Sequence, residues 1–173
     1  MKSVLISIQP KWCELIASGK KTVEVRKTKP NLATPFKCYI YCTKGFKPNT
    51  PYSYKTWAGY GKVIGEFVCN DIECFTSDYR ANGIQTNKMI SKSCMGIVKL
   101  MAYESKHHCL YGWHISDLII YDKPKELSKF KKINRECWYA DLGLAKRDCH
   151  ECKNKGCFVT RPPQSWCYVE ALR

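Results

Sequence analysis

Three residues in one short segment, Lys21, Glu24 and Arg26, have the types and spacing to do chemistry. Arginine offers a planar fork of donors for phosphate or carboxylate, and lysine a compact cation on a flexible stem. A lysine beside a carboxylate becomes a nucleophile or base only where burial favours its neutral form. Two uses therefore stand side by side. The three side chains meet a polar or anionic ligand, or Glu24 pairs with its cationic neighbours and orients the strand.

A second constellation lies near the C-terminus. Cys149 and Cys152 form a C-x2-C pair, Cys157 follows, and Cys137 precedes them. Tetrahedral zinc takes four such ligands, and C-x2-C supplies two from one turn. Four thiolates close the coordination shell, so a zinc held by Cys137, Cys149, Cys152 and Cys157 is structural. Lys146, Arg147, Lys153 and Lys155 stand ready to offset its negative charge. His150 or Cys167 as an alternative ligand, or no metal, are the competing readings.

The elements that must position the first cluster are legible. Val4–Ile8 is an apolar run that reads as a strand, and Pro10 suits the first position of a helix. Trp12, Leu15 and Ile16 fall on one helical face, and Gly19 can take the left-handed conformation that ends a helix. In the strand that follows, Val23 and Val25 face one side and Thr22, Glu24 and Arg26 the other.

Further strands are expected at Cys38–Thr43, Lys62–Cys69, Ser116–Tyr121 and Ser165–Leu172, with helices over Ile97–His108 and Lys125–Phe130. The N-terminal strand has a natural partner in the C-terminal one. Many strands and few helices suggest a small, partly closed barrel, because closure removes sheet edges. Between Cys42 and Gly61 a long loop interleaves Tyr52, Tyr54, Trp57 and Tyr60 with Lys47, Lys55 and Lys62. Rings and cations so mixed suit single-stranded RNA, whose bases stack while its phosphates meet lysine. Packing of the loop against the barrel is the plainer use of Trp57.

The 173 residues carry 29 Lys and Arg against 15 Asp and Glu, a net charge of +14. That imbalance points towards nucleic acid or nucleotide as partner. Length suggests one domain over 1–173, with a Cys-rich insertion at 131–160 before a closing strand at 164–172. No run is long enough to span a bilayer, and twelve cysteines without a signal peptide suggest a cytoplasmic chain with reduced thiols.

The segment SIQPKWCELIASGKKTVEVR resembles the opening of ASCH domains, members of the PUA-like superfamily. Its Gly19, Lys21, Glu24 and Arg26 match their Gly-x-Lys-x-x-Glu-x-Arg pattern. YGWHISDLIIYDKPKEL and RPPQSWCYVE look like the later strands of phage- and bacterium-encoded relatives. The resemblance implies an α+β, mainly β fold: a small PUA-like barrel with a few flanking helices, here carrying the zinc-clipped insertion. It also implies recognition of RNA or a nucleotide-like ligand in a cleft beside the first helix. Lys21, Glu24, Arg26, Ser7, Gln9, Trp12 and His114 are the candidate contacts. Some relatives are amidohydrolases on N-acetylated cytidine and others ribonucleases. By that likeness Lys21, Thr22, Glu24 and the distant Glu104 are the candidate catalytic groups. Glu24 stands two positions after Thr22, where those amidohydrolases have a threonine.

Overall fold

The computed structural model describes residues 1–44, 59–105, 107–133 and 157–172. Its elements are β1 (Lys2–Ile8), α1 (Pro10–Ala17), β2 (Val23–Arg26), β3 (Phe36–Cys42), β4 (Val63–Phe75), α2 (Tyr79–Ser93), α3 (Ile97–Glu104), β5 (Leu110–Lys125) and β6 (Trp166–Glu170). The strands hydrogen-bond in the order β2-β5-β4-β3-β1-β6. The mainly β class expected from sequence holds. Closure does not: β2 and β6 end an open sheet among the described residues.

The chain divides into two compact units, with β4 and β5 contributing to both. The first unit comprises Met1–Pro10, Lys37–Glu66 and Ile120–Arg173. In it β1 lies between two partners. It runs parallel to β3, with Val4 opposite Cys38, and antiparallel to β6, with Val4 opposite Tyr168. A strand paired on both sides reads as a continuous apolar run, and Ser3 to Ile8 are all buried. The core gathers Leu5, Tyr39, Tyr41, Val63, Leu127, Phe130, Val159 and Val169. Tyr39 packs edge-on against Phe130 and accepts a hydrogen bond from the Leu172 N–H at 2.7 Å. The phenol thus places a polar oxygen inside an apolar cluster with its acceptor satisfied.

The second unit comprises Lys11–Phe36 and Phe67–Ile119. Here β2 pairs antiparallel with β5, setting Val23 opposite His114 and Glu24 opposite Trp113. Val23 and Val25 enter a core with Phe75, Met89, Leu100 and Leu110. Gly112 permits close packing at this place. A β-carbon there would come within 3.0 Å of both the Met89 sulfur and Val23 Cγ1.

Two helix expectations are corrected. The helix proposed over Lys125–Phe130 is a single 3-10 turn, Leu127–Lys129, because β5 continues through Lys125. The helix expected over Ile97–His108 ends at Glu104. The strand expected at Ser116–Tyr121 is the middle of a longer one.

Candidate functional site

Lys21 is placed by the turn between α1 and β2. Gly19 has φ +73° and donates its N–H to the Ile16 carbonyl at 2.9 Å, closing the helix. The Lys21 N–H then donates to Leu15 O, and the Thr22 N–H to Lys92 O, each at 2.9 Å. Backbone bonds on both sides leave Lys21 little freedom. Its ammonium donates to the Ser93 carbonyl at the end of α2, 2.8 Å away.

That ammonium also lies 3.3 Å from Glu24 Oε2, while Arg26 Nη2 lies 3.1 Å from Glu24 Oε1. One carboxylate thus bridges two cations, one on each oxygen. Lys21 is 2 % exposed, Glu24 6 % and Arg26 7 %. The two uses read from sequence therefore resolve into an ordering: the three groups meet, and they meet each other beneath the surface. Their summed charge is +1, held where water screens it weakly. Removing Glu24 would leave two buried cations without their shared counter-charge.

Above this cluster stands the half-buried ring of Trp12, on α1. Lys21 Nζ is 5.1 Å from the ring centroid, and the exposed Lys11 and Lys99 bring theirs to 5.4 and 5.6 Å. Cations at that range are drawn to the negative face of an indole. Two similar pairs occur in the same unit, Lys27 with Tyr103 at 5.0 Å and Lys29 with Tyr111 at 5.7 Å. Burial pushes the Tyr103 phenol up; Arg26 opposes that rise and Glu24 adds to it.

The other sequence candidates are engaged differently. Thr22 is exposed, so it does not share the buried face of Glu24 and Arg26 as expected. Glu104, buried at the end of α3, accepts the backbone N–H of Ser77 at 2.9 Å and the Ser77 hydroxyl. His114 Nε2 faces Glu73 Oε1 at 2.7 Å. Ser7 and Gln9 belong to the first unit: Ser7 donates to the Pro163 carbonyl at 2.6 Å, and Gln9 is exposed. Cys137, Cys149 and Cys152 lie outside the described residues, as do Lys47, Tyr52, Tyr54, Lys55 and Trp57. Cys157 is buried, and its carbonyl accepts the Lys132 N–H at 2.7 Å.

Sequence reasoning missed Ser93, Lys99 and Glu73. Ser93 contributes only a carbonyl, which no side-chain pattern signals. Lys99 was readable as a polar position of the expected helix, but its nearness to Trp12 was not.

An ASCH domain model matches residues 6–140. Among solved structures the chain is similar to the ASCH protein of Zymomonas mobilis, with a TM-score of 0.54 and 18 % identity over 97 % of this chain and 87 % of that one. Two single-substitution variants of that protein give TM-scores of 0.57 and 0.52, at 17 % and 18 % identity, covering 97 % and 98 % of this chain and 88 % and 91 % of theirs. No curated protein matches the chain.

Proposed function

We propose that this chain, which belongs to the ASCH domain family, is a cytoplasmic module that binds RNA or a nucleotide-like ligand on the basic face around Trp12. The observation that carries this reading is the half-buried indole flanked by Lys11, Lys21 and Lys99. A base can stack on such a ring while the exposed lysines meet phosphates. The net charge of +14 supplies the long-range attraction.

In this reading Lys21, Glu24 and Arg26 form the support beneath the ring. Lys21 couples the end of α2 to β2 through Ser93 and Glu24, and its ammonium lies 5.1 Å from the centroid of the Trp12 ring. The triad is a positioning device, since side chains so covered offer a ligand little surface. Binding is favoured over hydrolysis because the charged groups carried over as catalytic, Lys21, Glu24 and Glu104, are already committed. Lys21 is held by Glu24 and Ser93, and Glu104 by Ser77.

The test pairs two assays on the whole chain. Fluorescence anisotropy with labelled single-stranded RNA should show binding that weakens as salt rises. Incubation with N-acetylcytidine should show no turnover. Turnover abolished by Lys21→Ala would replace the binding module with an amidohydrolase, and RNA cleavage with a ribonuclease. Absence of RNA and nucleotide binding at low salt would end the reading.

A further inference from the structure

On β4 and β5 stands a cluster that the binding reading does not use. Asp71 and Glu73 are two positions apart on β4 and so project to one face of the sheet. His114 comes from β5, the neighbouring strand. The Ser116 hydroxyl, donating to the Val68 carbonyl at 3.0 Å, ties the two strands beside the cluster. One ligand atom from each of Asp71, Glu73 and His114 lies within 4.8 Å of the others.

The imidazole is the informative member. Its Nε2 is shielded from solvent and makes no hydrogen bond, although Glu73 Oε1 stands 2.7 Å away. The contact is close without being aligned. A shielded ring nitrogen left in that condition carries a desolvation cost that a correctly placed partner would remove. A cation between the nitrogen and the carboxylates is such a partner. The same Glu73 oxygen has Lys88 Nζ at 3.1 Å, so a positive charge is already held at this point of the sheet.

We propose that Asp71, Glu73 and His114 form a binding site for a divalent cation of the manganese or zinc class. One imidazole and two carboxylates suit borderline-to-hard metals, and three protein ligands leave coordination positions open to water or to an oxygen of a bound ligand. Asp71 is exposed, which gives the ion a route in. Lys88 occupies Glu73 in the metal-free state and gives way when the ion binds. The site is independent of the RNA reading, and either can fail alone.

Manganese is the probe, because thiolates such as those of the C-terminal cysteines prefer softer metals. The whole chain, dialysed exhaustively against metal-free buffer without chelator so that tightly held zinc stays in place, is titrated with Mn2+, and free ion is followed by electron paramagnetic resonance. One Mn2+ per chain is expected. Asp71→Asn and His114→Ala should each weaken it on the order of tenfold or more, since even outer-shell losses cost that much. Glu14→Gln, at an exposed carboxylate on α1, should leave the affinity unchanged, and Lys88→Ala should raise it by removing the competing ammonium. Should His114→Ala fail to fold, Asp71→Asn, at an exposed position, decides the question. No uptake at millimolar Mn2+, or equal uptake by wild type and Asp71→Asn, overturns the proposal.

Discussion

Glu24 holds Lys21 at 3.3 Å on one carboxylate oxygen while its other oxygen lies 3.1 Å from Arg26, all three nearly covered. The arrangement joins a turn, a strand and, through the Ser93 carbonyl, the end of a helix. Its strength is conditional. While the carboxylate is present, each cation has one of its oxygens as a partner; without it, two like charges share one buried space.

Glu24→Gln should therefore destabilise the fold by about 3–5 kcal/mol, the usual cost of breaking a buried ion pair. The double variant Lys21→Met, Glu24→Gln should cost less than the sum of the single changes, because it also removes one of the stranded cations. Denaturant unfolding of the four proteins measures both quantities. Additive costs would show that the two side chains do not act together.

On the basic face, Trp12→Ala should weaken binding of single-stranded RNA by about 1–3 kcal/mol, the range for loss of one stacked base. Lys99→Ala should instead lower the slope of log affinity against log salt by about one unit, the mark of one lost phosphate contact. Anisotropy titrations at several salt concentrations separate the two effects. Equal salt slopes in wild type and Lys99→Ala would place the phosphates elsewhere.

The first unit carries a pH-sensitive contact. Glu66 accepts from Lys37 Nζ at 2.6 Å and from the Tyr121 hydroxyl. Burial pushes the Glu66 carboxyl up, but these two hydrogen bonds together with the positive charges of Lys37 and Lys125 hold it below the ordinary carboxylate value. The folded state then binds its proton later than the unfolded state as acid is added. Its contribution is present above the unfolded pKa and is lost as pH falls through the lower, folded one. Glu66→Ala should cost about 1–3 kcal/mol near neutrality. It should also show a shallower loss of stability with acid than wild type, read from denaturation midpoints across the acid range.

For the C-terminal cysteines we propose a structural zinc on Cys137, Cys149, Cys152 and Cys157. Native mass spectrometry should find one zinc per chain, lost with Cys149→Ser or with chelation. Such a site contributes on the order of 10–16 kcal/mol to ordering a short polar segment. Chelation should then lower the melting temperature markedly, and an intact, metal-free protein of unchanged stability would remove the idea.

The opening of the chain was readable because its signals are local. An apolar run, Pro10, a helical face and Gly19 specify β1, α1 and the turn within a few residues of each other, and β6 was correctly matched to β1. The middle was not. The stretch Tyr79–Ser93 contains Gly83 and a non-helical Asn82 (φ −160°, ψ 79°), so its periodicity is weak, yet α2 forms there and its Met89 joins a core. Strand β5 reaches from Leu110 to Lys125 across Gly112, Asp117 at φ +46° and Pro124, residues that ordinarily punctuate a strand. Cross-strand pairing outweighed those local preferences.

Charge types and their spacing were therefore set down in the sequence: a lysine, a glutamate and an arginine around one turn, on a strongly basic chain of the ASCH family. Folding alone decided that Lys21 donates to Ser93, 72 residues away, that Lys99 comes to Trp12, and that His114 meets Glu73. Local dihedral preferences and periodicity are properties of neighbouring residues. Which distant groups share a low-dielectric space follows from how strands and helices pack, and burial then turns an ordinary run of charges into a bridged triad.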